Sequence, residues 1–524
     1  MALANPARPW HLADLLAGFA VVPAGANLGV GNIVLDSSLL VLPGALFLAC
    51  SGGAAHGMAF AEQARRRGAV AIAAEPTAEW DIPTLAKTAA RLGLPIIPVP
   101  GLGSLASALA DRFYGEPSAR LDIFGIAGTK GKTSVCHFLA QTLAVQTRFA
   151  VVGAIGVGFP GDLTSSAPPW SNASTRAAPD AVDLQDTLAR LHARGAQAVA
   201  MAVFPHTAAA AVRFSHAVST YLGGDNTSGA ERTLFSAPGL RWAVLNADDP
   251  ASTGILADLG LGAAVALYGL RPKPPAGWRH DLWVGLSDLT PLRRGLRLRI
   301  RTDGYAGTDE GEVEVGVLGI FNAANLLAVL AILLSRGLAL GPALQSLARV
   351  QGVPGRLERF GGEGAPLVAV DCARTPDALE QATANLRRHG GDRLITVVGC
   401  GGERDRAQRP RLGAAAEAGS DQVIVTDDNP RGEDGDAIVA EVLSGMRHPE
   451  RVRVERRRGL AVRVALTLAG CRDSVLVAGK GHETTQDLGG LKRRYSDRAQ
   501  VVQALREWKG RDQATVCDWT EGLR

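Results

Sequence analysis

Residues 121–144, LDIFGIAGTKGKTSVCHFLAQTLA, decide the fold. An apolar run of strand character leads into Gly128-Thr129-Lys130-Gly131-Lys132-Thr133-Ser134, and an amphipathic helical pattern follows. Strand, glycine-rich turn and helix in that order make a phosphate cradle. The glycines let backbone N–H groups close around anionic oxygens, and the helix adds its positive N-terminal end. Lys132 is placed to neutralise the β- and γ-phosphates of ATP, and the Thr133 hydroxyl to hold Mg²⁺. A strict P-loop has glycine five residues before Gly131; here that position is Ile126, so the loop is a variant.

Outward from this stretch, apolar runs alternate with helical patterns. Residues 1–118 contain GNIVLDSS, ALFLAC, VAIAAE and LPIIPVP. Residues 119–353 continue through QAVAMAVF, HAVSTYL and WAVLNADDP. Residues 354–524 hold APLVAVDCA, RLITVVGCGG, DQVIVTDDNP and DSVLVAGKGHE. Buried strands whose C-terminal ends carry polar loop residues define α/β domains with a site along that edge. At 524 residues and 47% hydrophobic content, the chain supports several cores, since single cores stop growing near roughly 250–300 residues. A net charge of +4 excludes the strong basic stripe of a general nucleic-acid binder. The run Val315–Ser335 is long enough to span a bilayer, but Gly319, Asn322 and Asn325 interrupt it, so it is expected in a core, and no membrane association is expected. The six cysteines show no metal-ligand spacing, which suggests free thiols and a cytoplasmic location. Only seven lysines occur, and Lys130, Lys132 and Lys480 lie in the most distinctive motifs.

GTKGKTS resembles the ATP loop of the Mur ligases, and the rest of the chain resembles the MurE type of that family. Leu35-Asp36-Ser37-Ser38, PGALFLACSGG and His56-Gly57 are similar to the segments that hold the uridine nucleotide, with Ser38 in place of an arginine. Gly319-Ile-Phe-Asn322-Ala-Ala-Asn325 resembles GxFNxxN at the nucleotide base. Pro354-Gly355-Arg356-Leu-Glu358 resembles PGRxE, whose arginine meets ATP. Asp371-Cys-Ala-Arg374-Thr-Pro-Asp377 resembles D-Y-A-H-T-P-D, with cysteine for tyrosine and Arg374 for histidine. GCGGERDR (399–406), Asp428-Asn429-Pro430-Arg431 and Gly479-Lys480-Gly481-His482-Glu483 follow the family closely.

The resemblance implies a three-domain Mur ligase architecture: an N-terminal α/β nucleotide-sugar domain, a central P-loop-like ATPase domain and a C-terminal Rossmann-like, doubly wound domain. It implies ATP and Mg²⁺ as cofactors, and a nucleotide-sugar peptide and a diamino acid as substrates. Ser37 falls to the nucleotide sugar, and Asn322, Asn325, Arg356 and Asp371 to ATP. Arg404, Asp428, Asn429, Arg431, Gly479 and Glu483 fall to the amine. The DNPR motif implies meso-diaminopimelate, because an arginine can pair bidentately with the distal carboxylate while Glu483 takes the distal ammonium.

Departures from the pattern gather in the central block. Met201-Ala202-Val203-Phe204-Pro205-His206 stands where the family has M-E-V-S-S-H, so the metal-binding glutamate is Ala202. The histidine after Asp225 is Asn226, and no lysine lies between Lys132 and Lys273 to be carbamylated. Lys132, Asp225 and His206 remain as catalytic candidates. Two expectations follow: a MurE-like ATP-dependent amide ligase acting through an acyl phosphate, or a catalytically impaired chain. The impaired chain would bind nucleotide or amino acid and partner an active paralogue. A homo-oligomer is compatible with either.

Overall fold

The computed structural model describes residues 10–35, 43–52, 55–161, 180–203, 211–223, 233–260, 262–304, 307–403 and 405–508. It divides into two compact units, residues 1–267 with 277–281 and residues 268–276 with 282–524.

In the first unit, β1 (Asn32–Val34), β2 (Ala45–Ala49), β3 (Ala69–Ala74) and β4 (Ile96–Pro98) form a parallel sheet in sequence order. Side-chain alternation sends Ile33, Leu46, Leu48, Ala71 and Ala73 into one core cluster and Val34, Phe47, Ala49, Ile72 and Ala74 into another. Both faces are therefore covered, as a parallel sheet requires. The crossover helices are α1 (Ala61–Arg66) and α2 (Ile82–Leu92). Asp81 caps α2 by accepting from Thr84 N at 2.8 Å, and Gly93 ends it in the left-handed region.

The larger sheet of this unit is built on β5 (Asp122–Ala127), which leads into α3 (Lys132–Leu143). Beside it in the sheet are β6 (Phe149–Gly153), β7 (Gly156–Gly158), β8 (Ala198–Ala202), β9 (His216–Ser219) and β10 (Trp242–Asn246). The spatial order is β10-β9-β5-β8-β6-β7. All neighbours are parallel except the β6–β7 hairpin. The chain fills one side of β5 with β6 and β8, then crosses to β9 on the other. The loop after β5 thus sits at the reversal point, where open α/β sheets bind ligands.

The second unit opens with an antiparallel ribbon, β11 (Leu282–Leu292), β12 (Gly295–Gly304) and β13 (Gly307–Val315). Arg297, Arg299 and Arg301 of β12 face Glu314, Glu312 and Glu310 of β13 in register, and these charges protect an exposed strand from pairing with another chain. Val315 ends this ribbon, and the apolar stretch after it becomes α4 (Phe321–Ser335), with Asn322–Ala323 and Asn325–Leu333 buried. No described helix is long and apolar enough to cross a membrane.

The rest of the unit is a doubly wound sheet of β14 (Glu358–Gly361), β15 (Leu367–Asp371), β16 (Leu394–Val398), β17 (Gln422–Val425), β18 (Arg453–Val454) and β19 (Ser474–Ala478). The order is β14-β15-β19-β16-β17-β18, with only β14 antiparallel. Two core clusters lie on its two faces. Asp371 ends β15, and Gly399, Asp428 and Gly479 follow the ends of β16, β17 and β19, all on the same C-terminal edge. Cys50, Cys136, Cys372 and Cys400 are free thiols; Cys471 is disulfide-bonded, which departs from the free-thiol expectation.

Candidate functional site

The glycine loop of the first unit is clamped from the neighbouring strand end. Thr129 donates its N–H to Tyr221 O at 2.7 Å and its hydroxyl to the same oxygen at 2.9 Å. The Thr220 hydroxyl lies 2.9 Å from Ala127 O and 2.6 Å from Lys130 O. Gly128, at φ +137°, has no room for a side chain: a Cβ there would lie 2.1 Å from Thr220 Oγ1. The Lys132 ammonium folds back onto Gly128 O, and no side chain caps the start of α3. The helix N-terminus carries the positive end of the backbone dipole at the loop. Thr133 and Ser134 lie in that first turn, with Ser134 buried, and Thr129 and Lys130 are exposed.

Around the loop, Ala202 ends β8 in register with Ile126, two residues before Gly128. Asp249 is fully buried and accepts from Leu222 N, Gly223 N and Ala251 N, which fixes the segment after β9. His216 is a packing residue: its ring stacks on Phe124 with centroids 4.7 Å apart. Among the described residues no group of three His, Cys, Asp or Glu side chains could cage a metal. A hydroxyl at the head of a helix fits instead a Mg²⁺ that arrives on nucleotide phosphates, the usual arrangement for this ion. Ser37, His206, Asp225 and Arg404 lie outside the described residues.

In the second unit the candidate amine-binding residues converge. Lys480 is fully buried, and its ammonium donates to Asn429 Oδ1 and Glu483 Oε2, each at 2.9 Å, and to Asp428 Oδ1 at 3.4 Å. Asn429 Nδ2 donates to Glu483 Oε2 at 3.2 Å, and its Oδ1 also accepts from Asp487 N at 2.9 Å. Arg374 donates from Nε to Gly479 O at 2.8 Å and from Nη2 to Glu483 Oε1. Arg431, at φ +53°, donates to Gly402 O at 3.2 Å.

Burial lowers Lys480 to about 8, although Asp428 opposes the shift. Burial together with the nearby Arg356, Arg374 and Arg498 lowers His482 to about 4, so this ring is neutral at physiological pH. Beneath the pocket, Arg458 and Asp497 form a fully buried bidentate pair at 2.8 and 2.7 Å, and Arg458 also donates to Ala478 O at 2.7 Å. That pair anchors the strand end from which Gly479 emerges.

The remaining predicted residues have their polar atoms engaged within the second unit. Asn325 Nδ2 donates to Asn322 Oδ1 at 2.9 Å, and Asn322 Nδ2 to Leu318 O at 2.8 Å. Asp371 accepts from Leu357 N at 2.7 Å and Ala373 N at 2.8 Å. Arg356 donates to Cys372 Sγ. Gly355, at φ +66°, packs so closely on the Gly481–His482 backbone that a Cβ would lie 2.3 Å from His482 N.

Four contributors to these clusters, Lys480, Arg374, Thr220 and Tyr221, were not among the expected site residues. Lys480 was visible inside GKGHE, and Arg374 was visible as a substitution, but their shared contact with Glu483 needs the fold. Thr220 and Tyr221 carried no motif.

Comparison with known proteins gives three consecutive matches: residues 30–114 to the Mur ligase family catalytic domain, 126–333 to the Mur ligase middle domain and 355–481 to the Mur ligase glutamate ligase domain. The UDP-N-acetylmuramoyl-L-alanyl-D-glutamate:2,6-diaminopimelate ligase of Alkalilimnicola ehrlichii is 43% identical over 497 residues, covering 92% of this chain and 96% of that protein. The protein of the same description from Xanthomonas campestris pv. campestris is 40% identical over 513 residues, covering 95% and 98%. A solved structure of a ligase with this description superposes with a TM-score of 0.67 at 26% identity, covering 95% of this chain and 99% of that one.

Proposed function

The chain belongs to the Mur ligase family, and from that premise we propose that it is an ATP-dependent carbon–nitrogen ligase of the MurE type. Its reaction joins meso-diaminopimelate to UDP-N-acetylmuramoyl-L-alanyl-D-glutamate. A substrate carboxylate oxygen attacks the γ-phosphorus of ATP, giving an acyl phosphate and ADP. The amine of the diamino acid then attacks the acyl carbon, and phosphate leaves as the amide forms. The observation that carries this reading is the loop from Gly128 to Ser134, built as a phosphate cradle at the head of α3.

In this reading Gly128, Thr129, Lys130, Gly131 and Ser134 form the loop around the phosphates, whose shape the Thr129 N–H fixes through Tyr221 O. Lys132 would leave Gly128 O to neutralise the transferring phosphoryl group, and the Thr133 hydroxyl would hold Mg²⁺. The cation supplies charge neutralisation as the phosphoryl group moves. Asp225 and His206 serve the acceptor carboxylate and Ser37 the nucleotide sugar. Asn322, Asn325, Arg356 and Asp371 are assigned to ATP by the family resemblance. Arg404, Asp428, Asn429, Arg431, Gly479 and Glu483 receive the amine. We place domain boundaries at 118/119 and 353/354, in keeping with the three separately matched segments, and the reaction in the cytoplasm.

The test is phosphate release from ATP in the presence of UDP-N-acetylmuramoyl-L-alanyl-D-glutamate and a panel of diamino acids. Release that depends on both the acceptor and meso-diaminopimelate supports the ligase. Background release with every amine, from protein that still binds ATP, overturns it in favour of an impaired chain serving a paralogue. Ala202, whose side chain offers no oxygen to a cation, is the residue behind that second reading.

A further inference from the structure

The carboxylate assigned to the distal ammonium of the amine substrate is already engaged. Glu483 Oε2 accepts from Lys480 Nζ at 2.9 Å and Asn429 Nδ2 at 3.2 Å, and Oε1 takes Nη2 of Arg374. Arg374 is fixed at both ends. Its Nε donates to Gly479 O at 2.8 Å, and its backbone enters α5 (Pro376–Arg387), which Thr375 caps by accepting from Ala378 N at 3.3 Å. The arginine and the carboxylate are both about one-quarter exposed, at 28% and 27%, so water screens this pair less than a surface one.

Of the four charged side chains joined at this contact, Arg374 and Lys480 balance Asp428 and Glu483. An ammonium arriving at Glu483 must therefore displace Arg374 or add a positive charge to a cluster that is already balanced. A carboxylate arriving at the same place meets a guanidinium able to bind it bidentately. A histidine here, as in the family pattern, is neutral over most of the physiological range and would leave Oε1 of Glu483 without a permanent cation.

We propose that Arg374 is a specificity-determining residue: it takes the place of the distal ammonium at Glu483, so that the pocket selects its amine by the distal carboxylate. An amino dicarboxylate lacking the second amine is then bound nearly as well as meso-diaminopimelate, and L-lysine, which has the ammonium without the carboxylate, is rejected. This rests on the ligase reading for the identity of the pocket.

The test is isothermal titration of the full chain, loaded with a non-hydrolysable ATP analogue, with meso-diaminopimelate, 2-aminopimelate and L-lysine. Wild type should bind the first two within about threefold of each other and lysine at least about tenfold more weakly, the worth of one charge-assisted contact. Arg374→His should widen the preference for meso-diaminopimelate over 2-aminopimelate to about tenfold or more, because the distal ammonium regains Glu483. Arg374→Lys, which keeps the charge, should retain most of the wild-type ratio. A wild-type preference of tenfold or more for meso-diaminopimelate over 2-aminopimelate, or a ratio unchanged in Arg374→His, overturns the proposal. The wild-type ratio decides even if a variant fails to fold. Phosphate release with the same amines separates the two readings: absence of turnover with all of them removes the ligase, while the binding ratio still judges Arg374.

Discussion

Gly128→Ala puts the phosphate cradle under direct test. The new Cβ would lie 2.1 Å from Thr220 Oγ1 and 3.0 Å from Tyr221 O. Thr220 cannot swing away freely, because its hydroxyl lies between Ala127 O and Lys130 O, and Tyr221 O is backbone holding Thr129. At φ +137° an alanine is strained whatever the space, at a cost of about 1–3 kcal/mol. If the loop moves to relieve the clash, at least one N–H aimed at phosphate is lost, worth about 1.5–3 kcal/mol when the acceptor is charged. Together these give about 3 kcal/mol or more, or roughly 100-fold weaker nucleotide binding. Calorimetric titration with ADP or a non-hydrolysable ATP analogue reads this directly, with a thermal melt to confirm that the variant is folded. Thr220→Ala removes the nearest atom and leaves Tyr221 O at 3.0 Å and Thr220 Cβ at 3.3 Å. The double variant should therefore recover about tenfold while keeping the backbone strain. A Gly128→Ala chain that binds nucleotide within about threefold of wild type refutes the cradle geometry.

Three further outcomes follow from the same structure. Arg458→Ala leaves Asp497 charged, fully buried and without its bidentate partner, so urea unfolding should show a loss of about 3–5 kcal/mol, and Arg458→Met with Asp497→Leu should restore most of it. His482 is held near 4 against an ordinary 6.5; as pH falls below 6.5 the unfolded chain takes up a proton that the folded chain refuses until about 4, so stability declines through that window and levels off below it. His482→Gln should flatten this acid limb by roughly 2–3 kcal/mol in urea titrations run from pH 7 to pH 4. Ala202→Glu adds a hard oxygen at the strand end beside the loop, and should lower the Mg²⁺ concentration for half-maximal phosphate release by roughly tenfold; an unchanged midpoint would place the metal elsewhere.

Much of this architecture was legible because it depends on local pattern. Residues 121–144 gave strand, loop and helix in the order found, and the apolar runs ending in DCA, GCGG, TDDNP and GKGHE became the strands whose C-terminal ends carry the second unit's site. The β11–β13 ribbon went unread, although the alternation Leu-Arg-Leu-Arg-Ile-Arg at 296–301 is the period of a half-buried strand. Val315–Ser335 shows how an uncharged run conceals a boundary: a strand ends in it and a helix begins. What sequence could not give are contacts across long separations. Arg374 and Glu483 are 109 residues apart and Arg458 and Asp497 39, and only the strand order of the sheet brings each pair together. Thr220 clamps a loop 90 residues earlier in the chain, with a side chain that belongs to no motif.

The most direct measurement follows one oxygen atom. With acceptor labelled by ¹⁸O in the reacting carboxylate, incubated with ATP, Mg²⁺ and meso-diaminopimelate, each turnover through an acyl phosphate must pass one carboxylate oxygen to phosphate as the amide forms. The account predicts ¹⁸O-labelled phosphate in step with amide product, both read by mass spectrometry. Phosphate released without label, or label-free ATP hydrolysis with no amide, would contradict it.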